Sequence, residues 1–267
     1  MRNVGRGLLT AVLCLYLQCA VVTAQGLSPE QSLQQLRVAD GIRAELVAAE
    51  PLVRQPVAME FDDRGRLWVI QYLQYPNPEG LQRVQVDRYS RTKYDRVPEP
   101  PPRGPRGADR ITILEDTDGD GRMDKKTVFL DKLVLPRMVL PLDDRVLINE
   151  TDTMDIFVYR DTDGDGVADA KAPWYVGGPK NGNLEHQQSG LIWALDNNLY
   201  QTYNAYRLRW NGAKPPLKET IPNGGGQWGL AQDDQGKVWW SNAGGEKGLW
   251  HFQTPILYGA FDIRGQF

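Results

Sequence analysis

Cysteine and histidine are nearly absent from this chain. Its two cysteines, Cys14 and Cys19, both fall in an N-terminal apolar stretch, and its only histidines are His186 and His251. Once that stretch is removed no thiol remains, which excludes disulfides, a zinc–thiolate centre and a covalently attached c-type haem. Positive charge is not in excess either. A formal net charge of −3 argues against a nucleic-acid surface. The glycine-rich stretch Asn223-Gly-Gly-Gly-Gln-Trp228 lacks both the spacing and the lysine of a phosphate loop. No nucleophilic serine motif is present.

The longest apolar run, Leu8 to Ala20, is too short to span a bilayer comfortably. With Arg2 and Arg6 before it and Val22-Thr-Ala24 after it, the run reads as a signal peptide over residues 1–24, cleaved near Ala24 to leave Gln25 first. An uncleaved anchor is the alternative. The expected localisation is export, periplasmic or extracellular. Removing Arg2 and Arg6 from the 31 basic residues leaves 29 against 34 acidic ones, a mature charge of about −5.

What the chain has in quantity is turn formers and large aromatics: 27 glycines, 18 prolines and 8 tryptophans. That suits many short strands and predicts an all-β domain over residues 25–267. A short helix is expected first, with Ser28 as N-cap, Pro29 in the first turn, Gln31 closing a capping box and an end near Arg37. Ile42 to Ala49 alternates enough to predict a strand. Four segments from Pro56 onward then repeat one hairpin pattern, φ-x-x-D-x-x-G-x-φ-W. They are Val57 to Trp68, Met138 to Leu147, Ser189 to Tyr200 and Gly229 to Trp239. Their second strands start at Leu67, Val146, Leu199 and Val238, spaced 79, 53 and 39 residues apart. This recurrence predicts a β-propeller, incomplete, with about four to five blades present in a truncated chain. A Pro-rich insert at about 76–108 accounts for most of the long first interval. Its Val97 to Gly107 stretch is expected to be extended or mobile, and the insert as a whole reads as a solvated loop, with a lid or a partner-binding loop as the alternatives.

Two acidic loops match D-x-D-G-D-G-x-x-D and begin 45 residues apart. The first offers Asp116, Asp118, Asp120 and Asp124, and the second Asp161, Asp163, Asp165 and Asp169. These are positions one, three, five and nine of an EF-hand-type calcium loop, with glycine at six for the sharp turn. Position twelve departs from that pattern, being Thr127 and Ala172 where a bidentate glutamate is usual. β-branched and aromatic flanks predict that each loop joins two antiparallel strands rather than two helices. Two readings stand: calcium completed by outside ligands or water, or an Asp/Gly hairpin turn without metal.

Glu45 to Val53, Gly65-Arg-Leu-Trp68, Ile113 to Gly121 and Asn183 to Leu191 occur together in this chain. In that combination it resembles the N-terminal propeller of large secreted planctomycete-type proteins labelled membrane-bound dehydrogenases, which are related to the soluble quinoprotein glucose/sorbosone dehydrogenases. The resemblance covers Leu27 to Phe267. It implies an exported sugar or alcohol dehydrogenase-like domain with pyrroloquinoline quinone (PQQ) as cofactor, and a c-type cytochrome domain elsewhere in full-length members. Such chemistry needs a general base for the hydroxyl proton, and histidine suits neutral pH. The resemblance matches His186 to the catalytic base and puts Asn204 where those enzymes orient it with an aspartate. The alternative for His186 is a structural loop histidine. Arg209, with Arg207, is the candidate for a quinone carboxylate, or else a solvent-facing strand residue; His251 reads as a strand residue. The alternative function is a non-catalytic propeller that binds glycans or proteins within a larger exported assembly. A propeller hydrolase or lactonase would need axial carboxylates and asparagines that the sequence does not single out.

Overall fold

The computed structural model describes residues 26–73, 83–86, 88, 92–94, 107–180, 187–222, 224–226, 228–241 and 250–252. The expected leader lies outside them, as do Val97 to Gly107 apart from residue 107. The chain divides into two compact units, residues 1–46 and 47–267. Among the described residues no helix is long and apolar enough to cross a membrane.

In the first unit, helix α1 (Pro29–Gln35) starts as the sequence predicts. Ser28 Oγ accepts from Gln31 N at 3.2 Å and Gln31 Oε1 accepts from Ser28 N at 2.9 Å, a reciprocal capping box. The helix buries no residue, so its order is local rather than packed.

The second unit is built from strands. They are β1 (Pro56–Phe61), β2 (Leu67–Gln71), β3 (Arg83–Val86), β4 (Thr92–Tyr94), β5 (Asp109–Glu115), β6 (Lys125–Leu133), β7 (Pro136–Leu142), β8 (Arg145–Glu150), β9 (Ile156–Arg160), β10 (Ala170–Tyr175), β11 (Ile192–Trp193), β12 (Leu199–Tyr200), β13 (Tyr206–Arg209), β14 (Leu217–Thr220), β15 (Trp228–Gln232), β16 (Val238–Ser241) and β17 (Trp250–His251). They form four successive antiparallel sheets in the orders β1-β2-β5-β6, β7-β8-β9-β10, β11-β12-β13-β14 and β15-β16-β17, with β3-β4 a separate hairpin inside the insert. Successive antiparallel meanders of this kind are propeller blades. Each of the four predicted hairpins opens one blade. The insert is therefore not wholly irregular, since its middle pairs as β3-β4.

One turn device explains why aspartate and tryptophan recur together. In blade 1 Asp62 accepts from Arg64 N and Arg66 N, and its second oxygen accepts from Trp68 Nε1 at 2.9 Å. In blade 4 Asp233 does the same for Gln235 N, Lys237 N and Trp239 Nε1, the last at 2.8 Å. The carboxylate closes the turn and tethers the aromatic of the following strand, which fixes the hairpin register.

Strand periodicity then builds the cores. Trp68 and Ile70 of β2 face a core shared with Val139, Val146 and Ile148 of blade 2, while Leu67 and Val69 face the other way. In β8, Leu147 turns from that core into the next, with Leu199 and Leu208 of blade 3. Tyr200 faces a third core with Val238 and Trp240 of blade 4. β8 and β12 are thus apolar on both faces because a sheet lies on each side. Ile70, Ile111, Leu114 and Leu147 are fully buried, each contributing about 1.5–3 kcal/mol of burial free energy.

Residues 42–49 form no strand, contrary to the alternation of the sequence. Ala44, Leu46, Ala48 and Ala49 are partly buried there; the stretch makes local turn bonds at its ends (Ile42 N to Ala39 O, Leu52 N and Val53 N to Ala49 O) and one bond to a distant segment, from Met123 N to Val47 O, 2.8 Å. One bond is not a ladder, so extended pattern without a neighbouring edge gives no strand.

Candidate functional site

The topology sorts the loops to two ends of the blades. The β1–β2 and β7–β8 turns and both acidic loops lie at one end, and the connections after β2, β8 and β12 and those between blades lie at the other.

At the first end, the acidic loops join β5 to β6 and β9 to β10, between antiparallel strands as predicted. Asp116 accepts from Gly119 N (2.7 Å) and Gly121 N (2.8 Å), and Asp161 from Gly164 N and Gly166 N at the same distances. Gly119, Gly121, Gly164 and Gly166 all have φ between 79° and 88°, a left-handed backbone that favours glycine. The Gly121 amide chiefly holds the Asp116 carboxyl below its ordinary range. At Asp161 slight burial pushes upward and the Gly166 and Gly164 amides outweigh it.

Asp116, Asp118 and Asp120 bring one carboxylate oxygen each within 4.8 Å of one another, and Asp161, Asp163 and Asp165 do likewise. Two oxygens bound to one calcium at about 2.3–2.6 Å can be no more than about 5 Å apart, so three hard oxygens at this spacing fit that ion. The fourth aspartates are placed differently. Asp124 accepts from Thr117 N and Thr117 Oγ1 (2.7 Å), and Asp169 from Thr162 N and Thr162 Oγ1 (2.6 Å). Threonine at position two of the loop takes up the carboxylate that the spacing offered to a metal.

The loops also differ from each other. Gly121 has open space around it, whereas a Cβ on Gly166 would stand 2.8 Å from Thr127 Cγ2 of β6. Ala168 N donates to Phe129 O at 2.8 Å, so the second loop is seated on blade 1. Between them, blades 1 and 2 enclose a cleft of about 510 Å³ whose walls include Arg64, Arg66, Arg145, Arg160, Asp144 and Asp161. Arg145 pairs with Asp144 through two bonds, and Arg160 lies 3.6 Å from the same carboxylate.

The other end carries buried polar groups. Gln187, Gln188 and Ser189, at the entry to blade 3, are each no more than 1% exposed, and Thr202 is fully buried. Gln187 exchanges two bonds with Asp152: Asp152 N donates to Oε1 at 2.7 Å and Nε2 donates to Oδ1 at 2.6 Å. Gln188 Nε2 donates to Thr153 O, and Ser189 N donates to Thr202 Oγ1 at 2.9 Å. Tyr203 N donates to Gly225 O, and a Cβ on Gly224 would stand 2.6 Å from Asn204 O. Three loops therefore converge: residues 187–190, 201–205 and 224–226. Among the described residues, Asn204 Nδ2 is buried with no acceptor. An orphaned buried amide donor costs about 1–3 kcal/mol.

His186 lies outside the described residues, immediately before Gln187 in the chain, and only the backbone of His251 is described, in β17. Arg209 is exposed at the far end of β13, where its Nε donates to Asn198 Oδ1 at 3.2 Å. Asn198 belongs to the β11–β12 turn, so Arg209 sits at the acidic-loop end and not with Ser189, Thr202 and Asn204. Arg207 is bound up with Glu219, Asp196 and Tyr200. Sequence reasoning missed two cations at the convergent end. Arg137, 3% exposed, donates from Nε to Thr151 Oγ1. Lys180 places Nζ 4.3 Å from the Tyr203 ring centre, and burial lowers its pKa. Neither carries a local motif, because the loops that surround them come from distant parts of the chain.

The fold and this pair of loop ends define an all-β, propeller-type array of four described blades. The chain belongs to the family described as Domain of unknown function (DUF7133), which matches residues 28–258. No curated protein matches it. Among solved structures it is similar to a luciferin-regenerating enzyme at 11% identity and a TM-score of 0.40, over 68% of this chain and 52% of that one. It is similar to the holo PQQ domain of pyranose dehydrogenase from Coprinopsis cinerea at 14% identity and a TM-score of 0.42, over 76% of this chain and 46% of that one. Virginiamycin B lyase from Staphylococcus aureus aligns at 14% identity and a TM-score of 0.36, over 76% of this chain and 71% of that one. The chain spans about half the length of the first two.

Proposed function

We propose that this chain is an exported sugar or alcohol dehydrogenase-like propeller domain of the quinoprotein type, with calcium in its acidic hairpins. The observation that carries the reading is the convergence of three polar loops, the first of which directly follows position 186 in the chain, around an Asn204 amide that is buried with no acceptor among the described residues. A bound quinone would supply the hydride acceptor. His186 takes the substrate hydroxyl proton on a ring nitrogen, and Asn204 holds that ring by donating to it or accepting from it. Gln187, Gln188 and Ser189, which follow His186 in the chain, are buried. Of the cations, Lys180 at the convergent end is the candidate for a quinone carboxylate; Arg209 lies at the opposite end of blade 3. In the hairpins Asp116, Asp118 and Asp120, and Asp161, Asp163 and Asp165, would hold calcium through their carboxylate oxygens.

A second reading is a non-catalytic glycan- or protein-binding module of a larger exported assembly, with a c-type cytochrome domain on another segment. It is favoured by Asn204 itself, which can orient an imidazole but carries no charge to stabilise its cation.

Thermal melts of the full chain in EDTA, in calcium, and in calcium with PQQ separate the readings. A ligand at 100 times its Kd adds about 2.7 kcal/mol to a folded state, roughly 5–10 °C for a domain of this size. The expected result is a rise with calcium that is lost in Asp116→Ala with Asp161→Ala, and a further rise with PQQ that His186→Ala weakens. No calcium rise sinks the metal sites; a calcium rise without any PQQ effect leaves the binding module.

A further inference from the structure

The cleft between blades 1 and 2, at the acidic-loop end, holds more charge than its ion pairs use. Its volume of 510 Å³ falls within the span of ligand pockets, about 300–1,000 Å³. The β1–β2 turn brings Arg64 and Arg66 to it, the β7–β8 turn brings Asp143, Asp144 and Arg145, and the end of β9 brings Arg160. Lys125 and Glu115, register partners on β6 and β5, stand on the blade 1 wall. With Asp161 and Asp165 of the second acidic loop, five cationic side chains and five carboxylates border the cleft. The sum is neutral, so net charge does not select a ligand. The groups left without a partner do.

Most of these groups are engaged. Lys125 Nζ donates to both Glu115 oxygens, at 3.1 and 3.2 Å. Arg66 Nε donates to Asp62 at 2.7 Å, and Arg145 donates to both oxygens of Asp144. Asp161 accepts from two glycine amides and Asp165 from Val167 N at 2.7 Å. Three groups stand apart among the described residues. The Arg64 guanidinium is on an exposed turn and makes no hydrogen bond or ion pair, and the exposed Asp143 carboxylate makes none either. Arg160 reaches only Asp144, at 3.6 Å, a carboxylate that Arg145 already fills. Its Nε is buried with no acceptor, while the side chain as a whole is 42% exposed. Arg207 of blade 3 gives the contrast, since Glu219, Asp196 and Tyr200 close its guanidinium completely within the fold.

Two under-used guanidiniums call for an anionic oxygen pair, which their planar forks fit in the form of a carboxylate. Asp143, an acceptor only, calls for a donor such as a hydroxyl. We propose that this cleft binds an acidic sugar, a uronic acid unit of a glycan, with its carboxylate on Arg64 and Arg160 and a ring hydroxyl donating to Asp143. A neutral sugar leaves both arginines unmet. A simple anion gains nothing from Asp143 and is repelled by it. The cleft is at the end opposite the convergent loops, so its ligand rests on neither the quinone nor the calcium reading.

Isothermal titration calorimetry of the full chain with digalacturonate tests this, with lactose as the neutral sugar and sulfate as the plain anion. The titrations are made in EDTA, so that calcium held by the acidic loops or by the sugar acid cannot account for binding. Digalacturonate is expected to bind, lactose not to bind, and sulfate to bind at least about tenfold more weakly. Arg64→Ala weakens digalacturonate about tenfold, the worth of one charge-assisted contact. Asp143→Ala separates the two anions, weakening digalacturonate, which loses its hydroxyl acceptor, and strengthening sulfate, which loses a repulsion. Both residues are exposed, so both variants keep the melting midpoint of the parent. Arg122→Ala, on the exposed first acidic loop, leaves binding as in the parent. Three results overturn the proposal: no digalacturonate binding at a Kd of about 10 mM or tighter, sulfate binding as tightly as digalacturonate, or digalacturonate binding that neither Arg64→Ala nor Asp143→Ala changes. The first two are read on the parent chain alone.

Discussion

Replacing Asp109 should cost more than any other single surface-to-core change at the loop end of blade 1. The carboxylate is fully buried, and each oxygen accepts a backbone amide: Leu73 N at 2.8 Å and Leu135 N at 2.7 Å. Leu73 is where the chain leaves β2 for the insert, and Leu135 is where it crosses from blade 1 to blade 2. One side chain therefore pins both exits of the blade. Asp109→Ala leaves two buried donors without an acceptor, at about 1–3 kcal/mol each, and loses charge-assisted bonds stronger than neutral ones. The expected loss is about 3–5 kcal/mol, a large share of a domain stability of about 5–15 kcal/mol. In urea, with a slope of about 2–3 kcal/mol per molar, the midpoint falls by about 1–2.5 M at unchanged slope. Asp131→Ala is the control, an exposed carboxylate 3.5 Å from Lys132 and expected to shift stability by no more than about 0.5 kcal/mol. The reasoning is refuted if Asp109→Ala moves the midpoint no further than Asp131→Ala does.

Two further predictions follow from groups at the opposite end. Burial raises the Glu60 carboxyl to about 7 on half-buried β1. Its ionisation therefore opposes folding: the penalty is absent below the unfolded pKa of about 4.3 and complete above about 7. Glu60→Gln should stabilise the chain by about 1–2 kcal/mol at pH 8, after allowance for solvent screening, and do little at pH 4. Equal effects at both pH values in chemical denaturation would disprove it. Gly121→Ala and Gly166→Ala both place alanine at φ 88°, at a similar backbone cost of about 1 kcal/mol. Only the second also meets Thr127, so it should be the more destabilising, and Gly166→Ala combined with Thr127→Ser should recover most of the difference.

How much of this was legible in the sequence depends on whether the cause was local. The hairpins could be read because Asp62 and Asp233 act within six residues, closing a turn and tying down Trp68 and Trp239. The apolar runs of the second strands could be read for the same reason, since each face of β8 needs its own hydrophobic residue. Residues 42–49 show the limit of local pattern. A strand requires an edge to pair with, and no periodicity of the strand itself reports whether one is there. The acidic loops show a second limit. The spacing presents Asp116, Asp118, Asp120 and Asp124 as equals, yet Thr117 Oγ1 draws Asp124 away from the other three. The convergent end shows a third. Arg137 comes from the start of β7, and Lys180 with Ser189, Thr202 and Gly225 come from three separate connections; what gathers them is the stacking of whole blades. The scarcity of histidine and the family resemblance drew attention to His186, whereas the buried polar groups around its neighbours are a property of the packed array. A site of that kind is written in the sequence only as scattered polar residues beside apolar strands, so its chemistry becomes visible once the blades are in register.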